Sequence, residues 1–347
     1  MKLLKKVLSF IIITILLLHS IKNTSYASLN GASQNPVKVA VFLFSFDDLY
    51  LSHTKENLEN IQKENENKVN FTFFDAKKNQ ATQNESIDQA FNEDFDLFVI
   101  SLVTSNVDEV TNIFNKIISK NIPIILYSDS PTPLTKFVSS YNRAVIIGGD
   151  NQQAGTLQGK VLIDEWNNNK GAIDKNNDNI LQYIMLHGPI NNPPATARTK
   201  YSIQTLNDAG IKTQQLSVNF CNWNQECARE AIESLYLNYD NKIEAIIANN
   251  DAMAIGAIEA LQKYGFNKGD KSKYIPVVGV DGLPEAMELI KKGIMTGTVS
   301  QNTNLGADAI YTIGLNLVSG KTPLSGTNYK FDDTGNTIRL PYYDYKK

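Results

Sequence analysis

Histidine and cysteine are scarce here, three of one and two of the other in 347 residues. That scarcity leaves few candidates for a histidine-based hydrolytic triad or a zinc centre, which need several such side chains to converge. No G-x-G-x-x-G occurs, and GTLQGK lacks the spacing of a phosphate-cradling loop, with Ala154 where its first glycine would fall. G-x-S-x-G and H-E-x-x-H are absent too. A strong excess of one charge is also missing: the net charge is −3, and nothing suggests a nucleic-acid surface. No internal repeat, heptad run or low-complexity tract interrupts the chain.

One apolar run stands out, Val7 to Leu18. Lys2, Lys5 and Lys6 precede it, and Ser25-Tyr26-Ala27 follows at cleavage spacing. It is shorter than the roughly 20 residues a membrane span needs, so residues 1–27 read as an export signal cut after Ala27. Losing its four lysines takes the net charge from −3 to −7, and losing His19 leaves only His53 and His187. No cysteine follows the apolar run where a lipid anchor would attach. The expected location is therefore beyond the membrane it is exported across, periplasmic or extracellular at the cell surface, with no lipid-anchor cysteine. Cys221 and Cys227 either close a small disulfide loop or remain unpaired thiols flanking a loop and a helix start.

After a polar linker over 28–36, apolar strands alternate with amphipathic helical segments. VKVAVFLF, VNFTFFDA, DLFVISLV, IPIILYSD and AVIIGG form one set. NILQYIML, TQQLSVNF, KIEAIIAN, YIPVVGVD and GTVS form a second. Continuous apolar runs trailed by helices predict parallel sheets covered on both faces, hence two α/β lobes.

DKNNDNILQ, Asp174 to Gln182, sets polar residues at every second position. It is either a turn feeding a strand or an oxygen cage for a cation. Asp174, Asn176, Asp178, the Ile180 carbonyl and Gln182 occupy positions 1, 3, 5, 7 and 9 of a calcium loop. Position 12, where a complete loop carries a bidentate carboxylate, is Met185. Asn179 stands at the sharp turn where glycine is usual, and asparagine tolerates that left-handed backbone.

KIEAIIANNDAMAIGAIEAL, IPVVGVDGLPEAMELIKKG and TGTVSQN, with FDDLY, ATARTKY and the Trp223 segment, resemble the periplasmic galactose/glucose-binding proteins of ABC importers. The likeness runs from about Val37 to near the C-terminus. Sugar-responsive repressors share the two-lobed core, but they open with a DNA-binding helix-turn-helix rather than an export signal. The resemblance implies two doubly wound parallel-sheet lobes joined by three crossing strands that close over one sugar. It places 37–149 and 301–319 in the first lobe, 150–300 and 320–347 in the second. It also implies that Glu244, on a distant strand, supplies the carboxylate missing from the loop, so that a structural Ca2+ ties loop to strand.

A sugar needs carboxylates, amides and a guanidinium around its rim and aromatic rings on its faces. Asp48 and Tyr50 follow the first strand, where loops face the crevice of such folds. In the resemblance Tyr50 matches a stacking phenylalanine and Trp223 a stacking tryptophan, while Arg198, Asn250 and Asp281 match hydroxyl-binding residues. Each also has a plainer reading: core packing for Trp223, helix capping for Asp281 and Asn250, a surface ion pair for Arg198. Departures fall at Ser128 and Gln301, each replacing an asparagine, and at Asn192 and Pro194, which replace a histidine and an aspartate. Pro194 removes a charge that in the family helps Arg198 hold the sugar, and an unmatched buried hydroxyl costs about 1–3 kcal/mol. Galactose or glucose is therefore handicapped, and a deoxy sugar, pentose, glycoside or other polyol fits better.

The expectation is a monomeric, non-enzymatic sugar receptor that binds by hinge closure and serves an ABC permease. The alternative is a sensory receptor that reports occupancy to a chemoreceptor or sensor kinase.

Overall fold

A computed structural model describes residues 35–127, 135, 138–239 and 242–346. The expected export signal at 1–27 and most of the linker at 28–36 lie outside them.

The first set of strands is β1 (Val37–Leu43), β2 (Val69–Asp75), β3 (Leu97–Ile100), β4 (Ile124–Tyr127) and β5 (Ala144–Gly149). The last three are buried from end to end, as strands covered on both faces must be. Helices α1 (Leu49–Glu64), α2 (Gln80–Ala90) and α3 (Val107–Ser119) connect the first four. Helix α3 shows how sequence selects these elements. Asn106 caps it by accepting from the Asp108 and Glu109 amides, and Val110, Ile113, Phe114 and Ile117 form its buried stripe.

The second set starts with α4 (Asn151–Ile173) and continues β6 (Ile180–His187), α5 (Pro193–Asp208), β7 (Lys212–Phe220), α6 (Gln225–Tyr239) and β8 (Ala245–Ala248). It goes on through α7 (Asp251–Lys263), β9 (Val277–Asp281), α8 (Pro284–Lys291) and β10 (Gly297–Gln301). The chain then returns with α9 (Thr303–Val318), β11 (Thr337–Leu340) and β12 (Tyr342–Lys346).

The first sheet runs β11-β5-β4-β3-β1-β2, all parallel. The second runs β12-β10-β9-β8-β6-β7, with β12 antiparallel to β10. In each sheet the winding reverses beside the first strand, at β1/β3 and at β6/β8. Loops at the carboxyl ends diverge there and leave a crevice. The chain passes between lobes at 149–150, 301–302 and 340–342, so the doubly wound, three-crossing architecture is present.

The expected lobe boundaries need one correction. Residues 320–347 do not all belong to the second lobe. Strand β11 pairs with β5 and completes the first sheet, while Leu324, Tyr329 and Phe331 pack on the core that α9 shares with that sheet. Only from Tyr342 onward does the tail join the second sheet.

The glycines of GTLQGK have a packing role. A Cβ on Gly155 would lie 2.7 Å from the Arg198 carbonyl oxygen, and one on Gly159 2.7 Å from that of Ser202. Their absence lets α4 and α5 approach closely, which sets the position of Arg198. Among the described residues, no helix is long and apolar enough to cross a membrane.

Candidate ligand-binding cleft

A cavity of about 140 Å³ lies between the lobes, walled by the loops at the carboxyl ends of both sheets. Asp48, Tyr50, Asn192, Arg198, Trp223, Asn250, Asp281 and Gln301 all line it. Ser128, the remaining residue singled out in the sequence, lies outside the described residues.

Three of these side chains begin helices. Asp48 accepts from the Leu51 amide at 3.0 Å, Asn192 from Ala195 at 3.2 Å and Asn250 from Met253 at 3.0 Å. Each helix starts just after a strand ends at the crevice, so its cap brings a polar side chain and the positive end of the helix to the cavity. Capping and cleft lining therefore coexist in Asn250, whose amide also donates to the Trp223 carbonyl at 3.3 Å. Asp281 is no cap, because Leu283 holds the cap position of α8 and makes no side-chain bond there. Its backbone φ of 130° is rare for a non-glycine residue and costs on the order of 1–3 kcal/mol.

Arg198 is 6% exposed, so the surface ion-pair reading fails. Its Nε donates to Asn151 Oδ1 at 3.1 Å, Nη1 to the Asn249 carbonyl at 2.8 Å and Nη2 to the Tyr342 hydroxyl at 3.1 Å. Asp281 Oδ1 lies 3.6 Å from Nη1. These groups hold the guanidinium although Pro194 stands where the resembling proteins have an aspartate. Trp223 lies beside it, with the guanidinium carbon 5.7 Å from the indole centre. A Cβ on Gly188 would meet that indole at 2.5 Å, so glycine there leaves room for the ring. Trp223 also packs at the edge of the second lobe's core, so its packing and cleft roles are not exclusive.

On the opposite wall the Tyr50 and Tyr127 hydroxyls lie 2.7 Å apart, and the rings stack at 6.4 Å with 10° between planes. Sequence reasoning did not find Tyr127, Asn151 or Tyr342, which also line the cavity. Tyr127 ends a strand whose other residues are all core, a weak signal. Tyr342 comes from the third crossing, which carried none.

Burial dominates the electrostatics. It pushes the Asp281 carboxyl well above the usual range; Arg198 opposes this, while Asp251 and Asp48 add to it. Asp48 is pushed up by burial too, against the Leu51 amide, Lys78 and Arg198. Two crowded carboxylates beside one guanidinium suit a neutral ligand whose hydroxyls donate to the acids and accept from Arg198 and Asn250. No histidine, cysteine or lysine is among the described residues lining the cavity.

The alternating loop lies elsewhere in the second lobe. Glu244 reaches it: its two carboxylate oxygens accept from the Lys175 amide at 2.8 Å and the Gln182 amide at 3.0 Å. Asp174 accepts from the Asp178 and Asn179 amides, both at 3.1 Å. Asn177 and Asn179 take the left-handed turns, with φ of 58° and 62°. Burial, then the charges of Asp174 and Asp178, push the Glu244 carboxyl up. Gln182 Oε1 is buried without a hydrogen-bond partner. An orphaned oxygen beside three carboxylates fits a hard cation. Among the described residues, no three His, Cys, Asp or Glu side chains converge as a metal centre by themselves, so amide and carbonyl oxygens would have to complete the set.

Cys221 and Cys227 are unpaired thiols on either side of Trp223. Burial, with Cys227 beside it, pushes the Cys221 thiol far up.

Two doubly wound lobes, three crossings and a polar cavity between the switch points define a class, the two-lobed solute-binding proteins. Residues 39–322 match the periplasmic binding protein domain, and the chain belongs to that family. It is 32% identical over 322 residues, 92% of each chain, to the D-galactose/methyl-galactoside binding periplasmic protein MglB of Haemophilus influenzae. It is 25% identical to the D-xylose-binding periplasmic protein of Escherichia coli, covering 86% of this chain and 82% of that one. An ABC transporter solute-binding protein from Bacillus halodurans, solved with bound myo-inositol, superposes with a TM-score of 0.71 at 20% identity, over 91% of this chain and 96% of that one. This protein is a binding protein and not an enzyme.

Proposed function

We propose that this protein is an exported receptor that captures a monosaccharide as its lobes close and delivers it to an ABC importer. The observation carrying this reading is the cavity itself. One space holds an indole and a tyrosine ring from opposite lobes, and a rim of Asp48, Arg198, Asn250 and Asp281. That composition suits a flat, hydroxyl-rich ring. The relative at 32% identity is named for D-galactose and methyl-galactoside, which makes a hexose the first ligand to try. Others are named for D-xylose or hold myo-inositol. The exchanges at Asn192 and Pro194 favour a ligand lacking one of galactose's hydroxyl contacts.

Titration calorimetry against D-galactose, methyl-galactoside, D-glucose, D-xylose, D-ribose and myo-inositol tests the reading. Heat with at least one, accompanied by compaction in small-angle scattering, is expected; no heat with any of them overturns it.

For the loop, the reading is a structural Ca2+ held by Asp174, Asn176, Asp178, the Ile180 carbonyl, Gln182 and Glu244. The cation would offset two of the three carboxylate charges and fasten the loop to the chain entering β8.

A further inference from the structure

We infer that Asp251, which does not line the cavity, is the positioning residue that holds Asp281 in its ligand-facing geometry. This rests on the reading of the cavity as a ligand site. Asp251 is fully buried, at 0% exposure, yet no cation pairs with it at contact distance among the described ion pairs. Its carboxylate is spent on the turn that follows Asp281. Oδ2 accepts from the Gly282 and Leu283 amides, both at 2.8 Å. Oδ1 accepts from the Thr298 hydroxyl at 2.6 Å, and Thr298 lies on β10, which leads into the second crossing.

The turn needs such a clamp. Asp281 has φ of 130° and Gly282 has φ of 74°, so the chain leaves β9 through two successive residues at positive φ, one of them with a side chain. Such a conformation persists only when its surroundings over-determine it. Here two amides just past the strained residue are tied to one carboxylate oxygen. The clamp is reciprocal, since the Asp251 backbone amide favours the charged form of Asp281. Asn250, the preceding residue, caps α7 and reaches the Trp223 carbonyl. One helix N-terminus therefore organises the acid, the amide and the stacking ring.

A carboxylate accepts from all three donors at once, two amides on one oxygen and the Thr298 hydroxyl on the other. Asparagine has the same shape but keeps the two amides only by turning its NH2 to Thr298, whose hydroxyl must then accept where it now donates.

A double-mutant cycle tests the inference, using the panel sugar that gives the wild type its largest heat. Asp281→Asn is expected to weaken binding about 30-fold and Asp251→Asn about 10-fold. If Asp251 acts through Asp281, the double variant binds within about twofold of Asp281→Asn alone. Thr298→Val, which removes one donor and leaves the acid, gives a second cycle with a loss of about threefold and the same non-additivity. A double variant near 300-fold, the product of independent losses, overturns the inference, as does Asp251→Asn binding like wild type. An unchanged Asp281→Asn overturns the ligand-site reading itself, and this inference with it. A merely structural role would lower the thermal midpoint of the unliganded protein without producing coupling.

Discussion

The two lobes repeat one strand order but meet the cavity with different chemistry. The first contributes mainly rings, Tyr50 on Tyr127, with Asp48 at a helix cap. The second contributes Arg198, Asp281, Asn250, Asn192 and Trp223, most of them already hydrogen-bonded to one another or to backbone. A jaw whose polar groups are fixed in advance needs little rearrangement to receive a ligand. In the proposed closure a jaw of rings would complete the enclosure. The difference teaches that binding free energy should concentrate in the second lobe, and four measurements probe that asymmetry.

The largest loss should follow Arg198→Ala. It removes a donor from the Asn249 carbonyl and from the Tyr342 hydroxyl and leaves Asp281 buried without its nearest cation. Removing one member of a buried charged pair costs about 3–5 kcal/mol. Calorimetry should show affinity down about 100-fold or more, to no measurable heat. A loss under about threefold would break the asymmetry.

Next comes the loop, found in the second lobe. Chelation with EGTA should lower the thermal midpoint by a few degrees, corresponding to about 2 kcal/mol of linkage to a bound ion. In Glu244→Gln the chelator should shift the midpoint little, while sugar affinity changes by less than about twofold, because the loop is no part of the cavity wall. A chelator-insensitive wild type would remove calcium from the account.

Where sequence reasoning worked and where it stopped has the same root. Strands such as AVIIGG and the run ending in IILY were legible because both faces are covered, leaving no polar residue to blur the pattern. Asp48 was legible because a residue just past an apolar strand lands at the crevice whatever the ligand is, whereas Asn192 and Asn250, which cap helices at the same edge, were picked out by the resemblance. Arg198 and Asp281 sit in no local pattern of their own, and only the resemblance picked them out. Strands NTIRL and YYDYK were missed: their pairing partners, β5 and β10, are distant in sequence, and 320–336 has no periodicity to announce them. Missing them hid Tyr342 and misassigned the tail. Asn151 was hidden differently, at the first turn of a helix read only as a connection.

The first lobe's side of the comparison sharpens with Tyr127→Phe. This keeps the stacked ring and removes the hydroxyl 2.7 Å from that of Tyr50. Burial pushes the Tyr50 hydroxyl well up in pKa, so at neutral pH both groups are neutral and the bond between them is an uncharged one. One such bond is worth about 1 kcal/mol, so calorimetry should show affinity reduced about fivefold. A loss matching that of Arg198→Ala would mean that the ring jaw orients the ligand as strongly as the charged one.

The smallest effect belongs to the rim, where the lobes touch outside the cavity. His53 Nε2 on α1 lies 3.9 Å from Glu285 Oε2 on α8, with the carboxylate side chain 56% exposed, and His53 Nδ1 also lies 3.3 Å from Glu56. A long, solvated, shared contact contributes little. Leu49, at the start of α1, instead packs against the core of the second lobe, and apolar burial does not weaken with salt as an exposed charge pair does. His53→Ala should therefore change sugar affinity by less than about twofold, both in dilute buffer and at about 0.5 M salt. Should the variant lose tenfold in dilute buffer and recover in salt, closure would be governed by charge at the rim. The cavity's own asymmetry would then no longer decide how tightly the lobes hold a ligand.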